Sequence, residues 1–219
     1  DMYFDEDEVD RAVDFISIIK HFLDTSAGKN FILEPLQEWF IAFILGFQWK
    51  DTGYRVVRNV YFQVSRKTGK DEIAAAIALY MLIVDGEASP EIACLANSRE
   101  QARILFKYIT QYAKSIDGKG KILKEYRNYI TMPSNNGEVK VFSADASKLD
   151  GLNVSCGIID EYHEAKSRAL YDVIASSMLQ RTQPLMIVIT TAGFDLQSPC
   201  HDMYMLGVEI LEGIKDDDT

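Results

Sequence analysis

Tyr61-Phe62-Gln63-Val64-Ser65-Arg66-Lys67-Thr68-Gly69-Lys70-Asp71 reads as an apolar strand running into a basic Gly-Lys turn, and the apolar stretch Ile73 to Val84 follows at once. Strand, tight turn and helix in that order are what a phosphate-binding loop requires. Backbone N–H groups around Gly69 and at the start of the helix can converge on an anion, and Lys70 adds a mobile positive charge. The order implies a nucleoside triphosphate site formed by Ser65, Arg66, Lys67, Thr68, Gly69, Lys70 and Asp71. Both ends depart from the usual pattern: Val64 stands where such a loop opens with glycine, and Asp71 where it closes with a magnesium-binding Ser or Thr. Taken alone, the stretch is equally compatible with a chance Gly-Lys in a surface turn.

A second stretch points the same way. Val154-Ser155-Cys156-Gly157-Ile158-Ile159-Asp160-Glu161 is an apolar run without alternation that ends in two adjacent carboxylates. Such a run suits a central parallel strand covered on both faces. Ligands of open α/β sheets bind just beyond the carboxyl ends of the strands, so Asp160, Glu161 and Lys70 can meet across one crevice. Asp160 is then expected in the shell of a magnesium ion and Glu161 beside the attacking water. The plainer alternative is that both acids cap the strand and face solvent.

Several segments in order, Pro35-Leu36-Gln37, Ser65 to Lys70, Asn97-Ser98-Arg99-Glu100-Gln101-Ala102, Leu149-Asp150-Gly151-Leu152, Ile159-Asp160-Glu161 and Thr190-Thr191-Ala192-Gly193, resemble the large terminase subunits of tailed bacteriophages. The resemblance implies the ATPase domain of the motor that drives viral DNA into an empty capsid, a RecA-like (ASCE-type) P-loop NTPase using ATP and Mg2+. It also implies a homo-oligomeric ring on a capsid portal, a small terminase subunit as partner, double-stranded DNA as cargo, and the host cell cytoplasm as location. In that family a nuclease domain follows, and this chain ends before one could fit. Residues 1–219 are therefore expected to form one ATPase domain, with a helical N-terminal part over 1–50 and the P-loop core over 51–219. The likeness places an adenine-contacting glutamine at Gln37, although a surface glutamine is the commoner reading. It also gives Thr190, Thr191 and Gly193 a role in coupling, where small hydroxyls could bond a γ-phosphate or the hydrolytic water. Without the family, a turn after a strand would explain them.

The rest of the composition fits one such domain. With 219 residues, 47% of them hydrophobic, the chain can bury a sizeable core without staples. No apolar run approaches the roughly 20 residues of a membrane span, and no secretory signal precedes the first helix, so a soluble intracellular protein is expected. Cys94, Cys156 and Cys200 are widely separated; the first two fall in strand patterns and read as buried reduced thiols. His21, His163 and His201 are equally scattered, and none is assigned a metal.

A net charge of −10 opposes strong DNA binding by the isolated domain, because phosphate neutralisation dominates DNA affinity. Arg99 to Arg127 nevertheless carries eight basic residues against three acids, a candidate DNA-facing or subunit-facing surface or an ordinary solvated helix face.

The coarse pattern is helix over Glu8–Leu23, helix from Pro35 through Phe47, a helix apolar almost all round over Asp71–Val84, strand Ile92–Ala96 and helix Arg99–Lys114. Asn128–Met132 and Glu138–Phe142 read as a hairpin pair, Leu170–Leu179 as a helix and Leu185–Thr190 as a buried strand. Strands alternating with helices argue for a mostly parallel central sheet flanked by helices.

Two features remain. Phosphoryl transfer often draws an arginine from the same chain or a neighbour; Arg66 is the same-chain candidate, and Arg99, ahead of Arg103 and Arg127, the candidate for reaching an adjacent subunit. Asp71 is a legitimate hard ligand for magnesium, yet it adds negative charge beside a triphosphate and implies weak, metal-dependent nucleotide affinity. A helicase-like translocase and a non-hydrolysing module that assembles a ring stay open as alternatives. The Asp216-Asp217-Asp218 run reads as solvated charge rather than a nuclease centre.

Overall fold

The computed structural model describes residues 1–143 and 151–216. Leu149 and Asp150 of the resemblance, and Asp217 and Asp218 of the acidic run, lie outside them. In chain order the elements are β1 (Met2–Phe4), α1 (Glu6–Ser17), α2 (Pro35–Gly46), β2 (Phe47–Trp49), β3 (Asn59–Gln63), α3 (Lys70–Ile83), β4 (Glu91–Ala96), α4 (Arg99–Ile116), β5 (Lys124–Glu125), β6 (Tyr129–Met132), β7 (Gly137–Ser143), β8 (Cys156–Asp160), α5 (Ala169–Ser177), β9 (Leu185–Thr190) and α6 (Pro199–Leu211).

The main sheet runs β3-β9-β8-β4-β7-β6-β5. β3 through β7 are parallel, and β6 and β5 extend the far edge antiparallel. The hairpin expected between 128–132 and 138–142 is the β6/β7 pair, with Ile130 opposite Val139. Its turn is held by Asn135, whose Oδ1 accepts from Gly137 N at 2.8 Å. β8 lies between β4 and β9 and is buried along its whole length, which is why its sequence shows no alternation.

Side chains alternate across this sheet and make two cores. Ile92, Cys94, Ile158 and Ile187 face α3, together with α1, α2 and α4. Leu95, Ile159, Val188 and Met186 face α5 and the start of α6. α3 is buried on every side from Ile73 to Leu82 because α1 and α4 cover the flank that the sheet leaves open. Burying each of its Ile and Leu side chains is worth about 1.5–3 kcal/mol of transfer free energy. On the other face, a Cβ at Gly157 would stand 2.6 Å from Ile174 Cγ2, so glycine lets α5 sit directly on β8. All three cysteines are free thiols in these cores.

The N-terminal part differs from the helical reading of residues 1–50. β1 and β2 form a separate antiparallel pair, Phe4 opposite Phe47, closing the ends of a segment that holds α1 and α2. α2 stops at Gly46 rather than continuing through Phe47, and a Cβ at Gly46 would lie 2.4 Å from the Phe4 ring. α1 ends at Ser17 rather than Leu23, because the following residues pair with another segment: Phe31 N donates to Ile19 O at 2.8 Å and His21 N to Lys29 O at 2.9 Å. α6 had no counterpart in the sequence pattern. Ser198 caps it and Pro199 opens it, yet many of its apolar side chains, such as Tyr204, Met205 and Leu211, are exposed and draw no single stripe.

Candidate nucleotide site

β3 delivers the chain to the Gly-Lys turn. Val64 N donates to Thr190 O at 3.1 Å, carrying the β3/β9 pairing one residue further before the loop departs. Within it Thr68 Oγ1 donates to Ser65 O at 2.8 Å, and Lys67 (φ 68°) and Gly69 (φ 76°) are left-handed. The left-handed backbone at 69 favours glycine, and a Cβ there would stand 2.9 Å from Gln37 Nε2. Lys70 is then the first residue of α3, so the loop opens onto a helix N-terminus.

The Lys70 side chain is buried, with only 8% of the residue exposed, and its Nζ meets three carboxylates. It lies 2.6 Å from Asp71 Oδ1, 2.8 Å from Asp160 Oδ1 and 3.1 Å from Glu161 Oε1. Burial works against the Lys70 charge, but Asp160 and then Asp71 outweigh it and raise the ammonium above its usual pKa. Asp160, at the end of β8 and 5% exposed, has its carboxyl pushed up by burial against the lowering pull of Lys70. One cation facing three acids leaves the cluster with an excess of negative charge.

Glu161 leaves β8 in the left-handed region at φ 51°, ψ 45°, a conformation that a side chain adopts only when its surroundings enforce it. Two bonds do so: its N–H donates to Asp160 Oδ1 at 2.9 Å, and its carbonyl accepts from Asn97 Nδ2 at 2.9 Å. The carboxylate thereby turns towards Lys70 and His163. Its Oε2 is buried, 3.2 Å from His163 Nδ1, but without the alignment of a hydrogen bond. A cavity of about 680 Å3 opens in front of these groups, bordered by Arg66, Lys67, Lys70, Asp71, Glu161 and His163. That volume suits a ligand of nucleotide size.

Lys70, Asp71, Asp160 and Glu161 thus come together as the sequence suggested, with Arg66 and Lys67 on the rim. Gln37 is close by, but its amide is bonded within the protein: Oε1 accepts from Glu34 N at 3.0 Å and Nε2 donates to Thr68 O at 3.3 Å. It braces the loop against α2. Arg99 is exposed at the start of α4 and borders a different cavity, of about 750 Å3, with Arg103 and Arg127. The Thr190 hydroxyl, expected at a phosphate or water, has protein partners instead. It donates to Thr191 O at 2.9 Å and accepts from His163 N at 3.0 Å, because β9 runs beside β8 in the sheet and ends next to the turn that carries His163. Sequence reasoning assigned no role to Asn97 or His163. The signal for His163 was its place two residues after Glu161, and Asn97 opened one of the quoted segments.

A mostly parallel sheet flanked by helices, with a Gly-Lys loop after one strand and an acidic pair after another, is a RecA-like fold. Within that class, the family model "Terminase large subunit, ATPase domain" matches residues 38–207, and the chain belongs to this family. The terminase large subunit of Lactococcus phage p2 is 24% identical over 195 residues, covering 85% of this chain and 36% of that protein. Protein YmfN of Escherichia coli K12 is 44% identical over a shorter stretch of 64 residues, 29% of this chain and 14% of that one. The crystal structure of the HK97 bacteriophage large terminase superposes with a TM-score of 0.76 at 23% identity, covering 96% of this chain and 42% of that one. The chain therefore spans well under half the length of these relatives.

Proposed function

We propose that this chain binds and hydrolyses ATP with magnesium and, within a ring of like subunits, couples hydrolysis to the movement of double-stranded DNA into a procapsid. The observation that carries the reading is that Lys70, held by Asp160 behind it, and Glu161 together border one nucleotide-sized cavity. Lys70 binds the terminal phosphates, leaving its carboxylate partners as it does so, while the N–H groups at the start of α3 and the Arg66 side chain share their charge. Glu161, whose Oε2 is buried and accepts no hydrogen bond among the described residues, orients the attacking water and takes its proton. Gln37 contacts adenine by exchanging one of its internal bonds.

The excess negative charge of the cluster and its carboxylate oxygens suit a hard divalent cation, which Asp160 and Asp71 would hold. Such an ion offsets phosphate charge in the transition state. Thr190, Thr191 and Gly193 transmit the state of the site to the rest of the fold. Arg99 acts on the nucleotide of a neighbouring subunit, and residues 1–219 work as one ATPase domain.

The capsid portal, a small terminase subunit and the host cell cytoplasm complete the setting. Among the described residues no helix is long and apolar enough to cross a membrane. ATP hydrolysis measured with and without duplex DNA, on the native chain and on Glu161→Ala, tests the reading: DNA-stimulated turnover lost in the variant supports it, and equal rates in both proteins refute it. The contact of Asp71 with Lys70 favours one second reading, a nucleotide-binding ring module that does not hydrolyse. Single-turnover assays with labelled ATP separate the two.

A further inference from the structure

We propose that His163 is the positioning residue of Glu161 and the link through which the Thr190–Gly193 segment acts on it; this rests on the ATPase reading above. A hydroxyl has one proton to give, and Thr190 gives its proton to Thr191 O at 2.9 Å. Thr190 Oγ1 is also 3.1 Å from His163 Nδ1, and with the hydroxyl proton given to Thr191 O this contact calls for the hydrogen on the ring nitrogen. The neighbouring bond from His163 N to the same oxygen, at 3.0 Å, fixes the ring's backbone against β9. The imidazole is thereby held as its Nδ1–H tautomer, with a donor edge beside Glu161.

Glu161 is suspended between two groups: Oε1 lies 3.1 Å from Lys70 Nζ and Oε2 lies 3.2 Å from His163 Nδ1. Lys70 turns to phosphate when nucleotide binds. His163 then remains as the group that holds the carboxylate in place: a small shift lets its one Nδ1–H be shared between Thr190 Oγ1 and Oε2, while the bond from His163 N keeps the residue tied to β9. Gly193 belongs to the same device, because a Cβ there would lie 3.0 Å from His163 Cβ and shift that residue by a few tenths of an ångström. The Thr190-Thr191-Ala192-Gly193 sequence therefore bears on Glu161 through one imidazole.

The test uses side chains that keep one ring nitrogen each. In His163→Asn the amide nitrogen stands where Nδ1 does; in His163→Gln it reaches the position of Nε2. Misplacing a reacting group costs on the order of 100-fold in rate. His163→Ala and His163→Gln are expected to lower kcat roughly 30- to 100-fold with KM for ATP within about threefold of native, and His163→Asn to recover about tenfold over alanine. Gly193→Ala should lower kcat as well, and should add little further loss to His163→Ala. Asparagine no better than glutamine, a native kcat in His163→Ala, or a loss confined to KM would each overturn the proposal. If native protein and Glu161→Ala are equally inactive, the ATPase reading is what fails. The tautomer is then decided independently by 15N NMR of His163, where a proton on Nε2 rather than Nδ1 overturns the arrangement.

Discussion

Lys70 Nζ stands 2.8 Å from Asp160 Oδ1, although β3, which leads to Lys70, and β8, which ends at Asp160, are not neighbours: β9 lies between them. The long lysine side chain at the head of α3 spans that gap. The pair holds the loop and the acidic strand end together before any ligand arrives, and its energetics make the following expectations concrete.

Removing the ammonium leaves acids unpaired. Lys70→Ala should cost about 3 kcal/mol near neutral pH, the usual penalty for breaking one side of a buried pair. The loss should shrink on acidification. Burial already pushes the Asp160 carboxyl up and Lys70 holds it down, so in the variant the folded state takes up protons before the unfolded state does, and stability rises as pH falls. In the native chain the raised pKa of Lys70 means its contribution is present below the ordinary lysine pKa and lost as pH rises through the shifted value. Thermal melts of both proteins from about pH 5 to 10 check the first trend, and over that range the Lys70 contribution to the native chain should stay constant.

Asp160→Asn should separate stability from function. The native carboxylate is ionised at a cost that burial imposes, so the amide should leave the melting temperature unchanged or raise it by a few degrees, while Asp71 and Glu161 still hold Lys70. Magnesium-dependent ATP binding should fall at least tenfold. A melting temperature lowered by many degrees would contradict the first expectation, and unaltered calorimetric affinity the second.

Asp71→Thr removes one of the three acids around Lys70 and supplies the hydroxyl usual at this position. Repulsion between Asp71 and a triphosphate is expected to weaken nucleotide binding unless metal is present. Titration calorimetry should show tighter ATP binding in the variant and a smaller difference between magnesium and chelator. Equal affinities, insensitive to metal, would sink this account of Asp71.

Arg55 and Asp85 form a second buried pair, away from the cavity, that ties the segment after β2 to the end of α3. Arg55 NH1 also donates to Gln183 O at 2.9 Å. Asp85→Ala strands the guanidinium, and a loss of about 3–5 kcal/mol is expected in denaturant unfolding. Arg55→Met with Asp85→Leu should regain most of it, since an apolar pair leaves no charge uncompensated. A double variant as unstable as the single one would refute this.

Much of this protein was legible along the chain. The unbroken apolar runs of β8 and β9 announced strands buried on both faces, the nearly all-apolar α3 announced an interior helix, and Gly69-Lys70 and Asp160-Glu161 marked where those elements end at the site. Such signals are local, because burial on two faces and left-handed turns select residue types within a few positions. What the sequence could not fix depends on groups far apart in it. The pairing of β1 with β2 joins residues at opposite ends of the N-terminal segment, and its strands are too short for a period to register. Whether the Gln37 amide or the Thr190 hydroxyl is left for a ligand depends on which backbone groups fold up beside it, and Glu34, Thr68, Thr191 and His163 supply them. Only the pairing of β9 beside β8 decided that His163 stands between Thr190 and Glu161, since hydrogen bonds form by distance in space, and distance in space is set by the packed sheet.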